Sequence, residues 1–134
     1  KIFVAANAYT ADTKVRFSIV RYGNVLGSRG SIIPLFRKLI NEGVTSLPIT
    51  DKRMSRFWIT MEQGINCVLS SLSMHQGGEI FVPKVPSMKI VDLVESLAPN
   101  VTTRVIGIRP GEKLHEQMIG QEDELYTYEY DKYL

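Results

Sequence analysis

Val15 to Ser31 reads VRFSIVRYGNVLGSRGS. Val15, Phe17, Ile19, Val20 and Tyr22 are β-branched or aromatic and are bounded by turn-prone residues, which predicts a strand. A glycine-spaced polar loop follows, and Ser31 stands where an amphipathic helix begins. A strand that ends in glycines, Asn24, Ser28, Arg29 and Ser31 sets backbone donors and polar side chains at the carboxyl edge of a sheet, where open α/β folds bind ligands. Gly23, Gly27 and Gly30 allow three readings: a dinucleotide fingerprint with Asp51 as its ribose acid, a set of turn glycines, or a polar substrate loop. Against the first, Asp51 lies in a PITD turn and not at the end of an obvious second strand.

Outward from this stretch, the chain alternates. Lys1 to Tyr9 reads as the last turns of an amphipathic helix without an N-cap or an initiator Met, so the sequence is expected to be part of something longer. After the loop, Ile33, Phe36, Leu39 and Ile40 share a helical face, Pro34 suits the first turn and Gly43 the end. Pro48 to Thr50 is extended, Asp51 to Ser55 a basic turn, and Phe57 to Ile59 a short buried strand. Thr60 and Gln63 have capping-box spacing before a second helix, whose Ile65, Val68, Leu69 and Leu72 share one face. Glu79 to Val82 is a third strand. Ser87 is expected to cap a third helix bearing Ile90, Leu93, Val94 and Leu97, and Arg104 to Ile108 a fourth strand. Strands alternating with helices argue for an α/β fold with parallel pairing.

The 134 residues suit one globular domain, and no apolar run approaches the roughly 20 residues of a membrane span. With no basic segment leading into an apolar run, the expected compartment is the cytoplasm. The single cysteine, Cys67, excludes an internal disulfide and reads as a core thiol, and two separated histidines suggest no metal cluster. Residues 1 to 60 hold ten Lys and Arg against three Asp and Glu, whereas residues 121 to 134 hold one against five. The basic excess surrounds the glycine loop, Arg53 and Arg56, and points to an anionic ligand, with phosphate suiting the arginines. Tyr128 and Lys132 have the YxxxK spacing of short-chain dehydrogenases, but two residues in a tyrosine-rich tail carry no chemistry by themselves.

Taken together, RYGNVLGSRGS, LPITDKRMSRFWIT, GGEIFVPKVPSMKIVDL and IGIRPGEKLHE resemble the UDP-N-acetylglucosamine 4,6-dehydratases of the inverting type that begins pseudaminic acid synthesis. The likeness covers nearly the whole chain in order. It implies the C-terminal, substrate-binding portion of an extended short-chain dehydrogenase fold, with the last parallel strands of a Rossmann-like sheet and a small substrate subdomain over residues 1 to 134. The glycine loop then reads as the family's substrate loop. The chemistry implied is an internal redox cycle: hydride leaves sugar C4 for NADP, water is eliminated across C5 and C6, and hydride returns to C6. The resemblance puts the cofactor mainly on a half that precedes Lys1, so this segment alone is expected to be inactive.

Residue by residue, the resemblance implies that Asn24 contacts the sugar diphosphate and that Arg56 and Arg109 clamp it. Glu112 would accept the uridine ribose hydroxyls, Pro48, Ile49 and Thr50 would flank the uracil, and Tyr22 and Gly23 would pass the nicotinamide end of the cofactor. His115 and Glu116 read as structural. The implied partner is a UDP-sugar, with neither nucleic acid nor membrane, and a homo-oligomer at full length serving surface glycan or flagellin glycosylation. Two other readings stand beside it: a non-catalytic nucleotide-sugar or anion-binding module, and another epimerase or dehydratase of the same superfamily.

Overall fold

The computed structural model describes residues 2–10 and 13–134, so Lys1 and most of the turn expected before the first strand lie outside the described residues. In chain order the elements are α1 (Ile2–Ala6) with a 3-10 turn at Asn7–Tyr9, β1 (Ile19–Val20), β2 (Asn24–Val25), α2 (Ile32–Asn41), β3 (Ser46–Ile49) and β4 (Ser55–Ile59). There follow α3 (Met61–Met74), β5 (Ile80–Phe81), β6 (Ser87–Lys89), α4 (Ile90–Leu97), β7 (Thr102–Val105) and α5 (Gln121–Glu124). The chain divides into two compact units: Lys1–Tyr22, Met61–Lys84 and Met118–Leu134 form one, and Gly23–Thr60 with Val85–Gln117 the other.

In the first unit β1 and β5 pair in parallel, Ile19 against Ile80 and Val20 against Phe81. The backbone of β5 continues into an antiparallel rung in which Val82 and Leu134 exchange hydrogen bonds of 3.2 and 2.8 Å, beside a bridge between Pro83 and Tyr133. Asn7 docks α1 onto the approach to β1, donating to the Phe17 carbonyl at 2.9 Å and accepting the Phe17 N–H at 2.8 Å. The β-rich run from Val15 thus forms regular strand only at Ile19–Val20, because β5 offers it just two residues of partner.

Helix α3 has the apolar stripe that its period predicts, and it turns that stripe outward. Its buried residues are Gly64, Cys67 and Ser71, while Ile65, Val68, Leu69 and Leu72 are exposed, Leu72 to 65%. A 3.6-residue period locates an apolar stripe but does not say what covers it. Cys67 is a buried core thiol, and burial pushes its pKa up.

The second unit holds the core that supports the candidate site. Strands β2, β4 and β6 form one sheet in that order, with β2 parallel and β6 antiparallel to β4; β3 and β7 pair in parallel beside them in sequence register from Ser46–Thr102 to Ile49–Val105. The antiparallel strand makes this a mixed arrangement where only parallel pairs were expected. Ile33 and Phe36 of α2, Leu47 and Ile49 of β3, Trp58 of β4, and Ile90, Leu93 and Val94 of α4 pack with Met54 into one cluster. Each such buried side chain contributes about 1.5 to 3 kcal/mol.

The helix faces of α2 and α4 are as expected, but their starts differ in detail. Ser31 occupies the N-cap of α2 without a side-chain capping bond. Ser87 is not a cap: it lies in β6 opposite Phe57, and α4 begins after Lys89, whose extended backbone serves instead. The fourth strand also starts two residues earlier than the hydrophobic run suggests, since Thr102 and Thr103 complete the ladder with Ser46 and Leu47.

Candidate functional site

Strand β4 carries Arg56 on the same inward face as Trp58, so a guanidinium enters a largely apolar unit. Arg56 is 9% exposed. A charge so placed is tolerated only when its donors are paired. Nη1 donates to the carbonyl oxygens of Ser55 at 2.7 Å and Leu114 at 3.2 Å. Nη2 lies 3.7 Å from Glu112 Oε1, and Nε lies 3.4 Å from Glu116 Oε1. Ser55 N–H also donates to the Leu114 carbonyl, so β4 and the RPGEKLHE segment are stitched together around this side chain.

The local sequence explains how Glu112 arrives there. Pro110 and Gly111 occupy the centre of a turn closed by the Glu112 N–H on the Arg109 carbonyl at 3.0 Å, and Gly111 has a φ of 81°. That is type II turn chemistry, in which proline presets the first central residue and glycine supplies the left-handed second. The turn aims the Glu112 carboxylate back toward β3. Oε1 accepts from the Thr50 hydroxyl and Oε2 from the Arg109 backbone N–H, each at 3.3 Å. The structure therefore brings together Thr50, Arg56, Arg109 and Glu112, four of the residues singled out from sequence. Arg109 is exposed and enters this network through its backbone.

Along β3 the side chains alternate, with Leu47 and Ile49 buried and Pro48 partly exposed. Ile49 is thus a core residue behind the face that Pro48 and Thr50 present. Asn24 is exposed and sits opposite Trp58 in the β2–β4 register. Gly23 precedes it; a Cβ there would lie 2.5 Å from the Phe57 carbonyl oxygen, so its glycine is required by close backbone packing. Tyr22, the last residue of the first unit's opening segment, is 41% exposed. Gly27 and Gly30 have φ values of 73° and 74°, the left-handed backbone of turns.

Around the cluster, Asp51 closes its own turn. It accepts from the Arg53 backbone N–H at 2.8 Å and pairs with the Arg53 guanidinium at 2.8 Å, and those hydrogen bonds lower its pKa to about 2. His115 Nδ1 lies 2.7 Å from the Ser55 hydroxyl. Sequence reasoning did not give Glu116 a place at Arg56; its one signal is its position four residues after Glu112 in RPGEKLHE. Tyr128 and Lys132 lie in an exposed, non-helical stretch, which lacks the helical turn that YxxxK chemistry needs. The first unit has its own cavity of about 920 Å³, lined in part by Arg21, Phe81, Tyr126, Tyr130 and Tyr133. None of the residues expected at the substrate lines it. No helix among the described residues is long and apolar enough to cross a membrane.

The second unit holds ten Lys and Arg against six Asp and Glu, so it carries the cationic surplus noted in the sequence. Arg56 offers guanidinium donors suited to an anion, and the Glu112 carboxylate is an acceptor suited to a hydroxyl.

Over 133 residues, 99% of its length, the chain is 57% identical to the UDP-N-acetylglucosamine 4,6-dehydratase (inverting) of Campylobacter jejuni subsp. jejuni serotype O:2, of which it covers 40%. Among solved structures it superposes on Pen from Bacillus thuringiensis with a TM-score of 0.91 at 33% identity, over 98% of this chain and 43% of that one. It also superposes on DesIV, a dTDP-glucose 4,6-dehydratase from Streptomyces venezuelae solved with NAD bound, at a TM-score of 0.66 and 22% identity, over 91% and 40% of the two chains; that likeness bears on fold alone. The chain thus spans about 40% of the length of the curated dehydratase it matches. The fold is that of the nucleotide-sugar epimerases and dehydratases of the extended short-chain dehydrogenase type. The model of the polysaccharide biosynthesis protein family matches residues 1–134 in full, and the chain belongs to that family.

Proposed function

We propose that this chain is the UDP-sugar-binding portion of a UDP-N-acetylglucosamine 4,6-dehydratase of the inverting type. The observation that carries this reading is the convergence of Arg56, Arg109, Glu112 and Thr50 in one unit, in a chain 57% identical to an enzyme of that name. Two arginines supply charge and donors for adjacent phosphates. Glu112, oriented by Thr50 and the Arg109 N–H, keeps acceptor capacity for a ribose diol, and Pro48 with Thr50 offers a partly apolar edge to a flat base. Asn24 adds an uncharged amide donor for the sugar diphosphate. On this reading the segment binds and orients the substrate and excludes water, while the acid-base residues belong to the longer protein.

Gly23 packs on Phe57, and Gly27 and Gly30 have the backbone of turns, so within this chain Tyr22 and the Gly23 backbone are the candidates for contact with NADP. The reading therefore assigns the cofactor mainly to sequence outside these 134 residues. A cytoplasmic, homo-oligomeric enzyme supplying a 4-keto-6-deoxy sugar for surface glycan or flagellin completes the proposal.

Titration calorimetry of the chain with UDP, uridine and pyrophosphate tests the site. The expected result is that UDP binds more tightly than either piece, and that Glu112→Gln weakens UDP by about tenfold while leaving pyrophosphate within about twofold. If UDP binds no better than pyrophosphate, the ribose and uracil contacts are wrong; if neither binds, the anion site is wrong.

A further inference from the structure

The two edges of the Arg56 guanidinium are not equally engaged. Nη1 is saturated by the Ser55 and Leu114 carbonyls at 2.7 and 3.2 Å. The Nε–Nη2 edge faces carboxylates at longer range, Glu116 at 3.4 Å and Glu112 at 3.7 Å, where charge-assisted bonds close to about 2.7–2.9 Å when unhindered. The carboxylates also differ from each other. Glu112, with a side chain 27% exposed, is tied by the Thr50 hydroxyl and the Arg109 N–H. Glu116 has a side chain 41% exposed, and its ion pair is with Arg56. The neighbouring His115 is anchored to Ser55 at 2.7 Å, so the backbone next to Glu116 is fixed while its carboxylate reaches toward solvent.

We propose that Glu116 is a resident counter-anion on the open edge of Arg56, displaced by the phosphate of an incoming ligand, and that it thereby sets the affinity of the site for anions. The proposal rests on the reading of Arg56 as a diphosphate residue. A buried guanidinium without an anion is costly, so the empty site needs one. Glu112 has two further partners, the Thr50 hydroxyl and the Arg109 N–H, and so loses more than Glu116 on leaving. Glu116 leaves with one long contact broken and its charge returned to water, so the anion beside Nε is exchanged while Glu112 stays beside Nη2. Glu116 is a positioning residue: it acts on the ligand only through Arg56, holding the guanidinium in place and opposing its neutralisation by others.

The test is calorimetric titration of the 134-residue chain with inorganic pyrophosphate at constant ionic strength, with UDP run in parallel. Glu116→Gln removes the charge and Glu116→Asp keeps it but withdraws it by one methylene. Glu116→Gln is expected to bind pyrophosphate about three- to tenfold more tightly than the parent, and Glu116→Asp more tightly by a smaller factor, while both melt at lower temperature without ligand. Field and occupancy are separated by Glu116→Asp, which keeps the charge. Unchanged or weaker pyrophosphate binding by Glu116→Gln overturns the proposal. So does a gain for Glu116→Gln with none for Glu116→Asp, since the effect is then the field of the charge and not occupancy of the edge. The UDP arm keeps the two readings apart: a pyrophosphate gain without UDP binding upholds the exchange and overturns the nucleotide-sugar reading, whereas UDP binding with no gain in Glu116→Gln overturns the exchange alone. A parent that binds neither ligand overturns both.

Discussion

Gly23 passes so close to Phe57 that a methyl group added to it would stand 2.5 Å from the Phe57 carbonyl oxygen and 2.7 Å from its Cβ. Both obstacles belong to β4 or to the root of its side chain, so neither can swing aside. Gly23→Ala is therefore expected to destabilise the chain by about 1–3 kcal/mol, read as a lower urea midpoint with an unchanged slope. An unaltered midpoint would show that β2 and β4 have slack at this crossing and that the glycine serves some other purpose.

Arg56 and Arg109 are expected to separate when stability and binding are measured together. Arg56→Lys keeps a charge but loses the fork that serves two carbonyls and two carboxylates, and should cost about 2–4 kcal/mol of stability as well as UDP affinity. Arg109→Ala removes an exposed side chain while leaving its backbone N–H on Glu112, so stability should stay within about 0.5 kcal/mol. UDP affinity should nonetheless fall about tenfold or more. Loss of stability without loss of binding in Arg109→Ala would remove it from the site.

The loop before β5 gives a pH dependence with a definite sign. Burial pushes the Glu79 pKa up, but hydrogen bonds from the Ser18 hydroxyl and the Gln76 and Gly77 backbone N–H groups, each at 2.8 Å, outweigh it and hold the carboxyl below its ordinary 4.5. A depressed folded-state pKa means that this group's stabilisation is present above the unfolded value and is lost as pH falls through the folded one. Melting temperature should therefore drop below about pH 4.5 more steeply in the parent than in Glu79→Gln. Parallel acid limbs for the two proteins would contradict this.

Helix α3 presents Ile65, Leu69 and Leu72 to solvent at 51%, 58% and 65% exposure. The chain should bind hydrophobic dyes and self-associate through this stripe. Leu69→Glu combined with Leu72→Glu is expected to reduce both while leaving melting temperature nearly unchanged, because neither side chain contributes to the unit's interior. A large drop in melting temperature would mean that the stripe is packed in solution.

That helix also marks how far the sequence could be read. For α2 and α4 the apolar period coincided with the buried face, because bulky residues such as Phe36 and Val94 fill the core of the second unit. In α3 the period gave the stripe but not its surroundings: Gly64, Cys67 and Ser71 are buried while the stripe is exposed, and hydropathy alone does not show which face a neighbour covers. Strand limits shifted for a related reason: Thr102 and Thr103 join β7 because β3 is there to pair with them, which composition cannot show. Thr50, Arg56 and Glu112 were singled out through the resemblance that their motifs carry, and the structure groups them, while PG in RPGE announced its own turn. Glu116 was not, because an exposed glutamate in a charged segment looks like solvated surface until a buried guanidinium is found beside it.

The interleaving of the two units has a consequence for synthesis. Every parallel pair joins distant residues, Ile19 to Ile80, Asn24 to Trp58 and Ser46 to Thr102, so each closes a long loop before its ladder forms. The second unit is assembled from two segments and has all its residues once Gln117 is made, whereas the first needs three and waits for the stretch from Met118 onward. On a ribosome, the unit that begins later in this sequence is therefore the one whose parts are complete first, while β1 can pair with β5 as soon as Phe81 is made and the first unit then waits only for the stretch from Met118 onward.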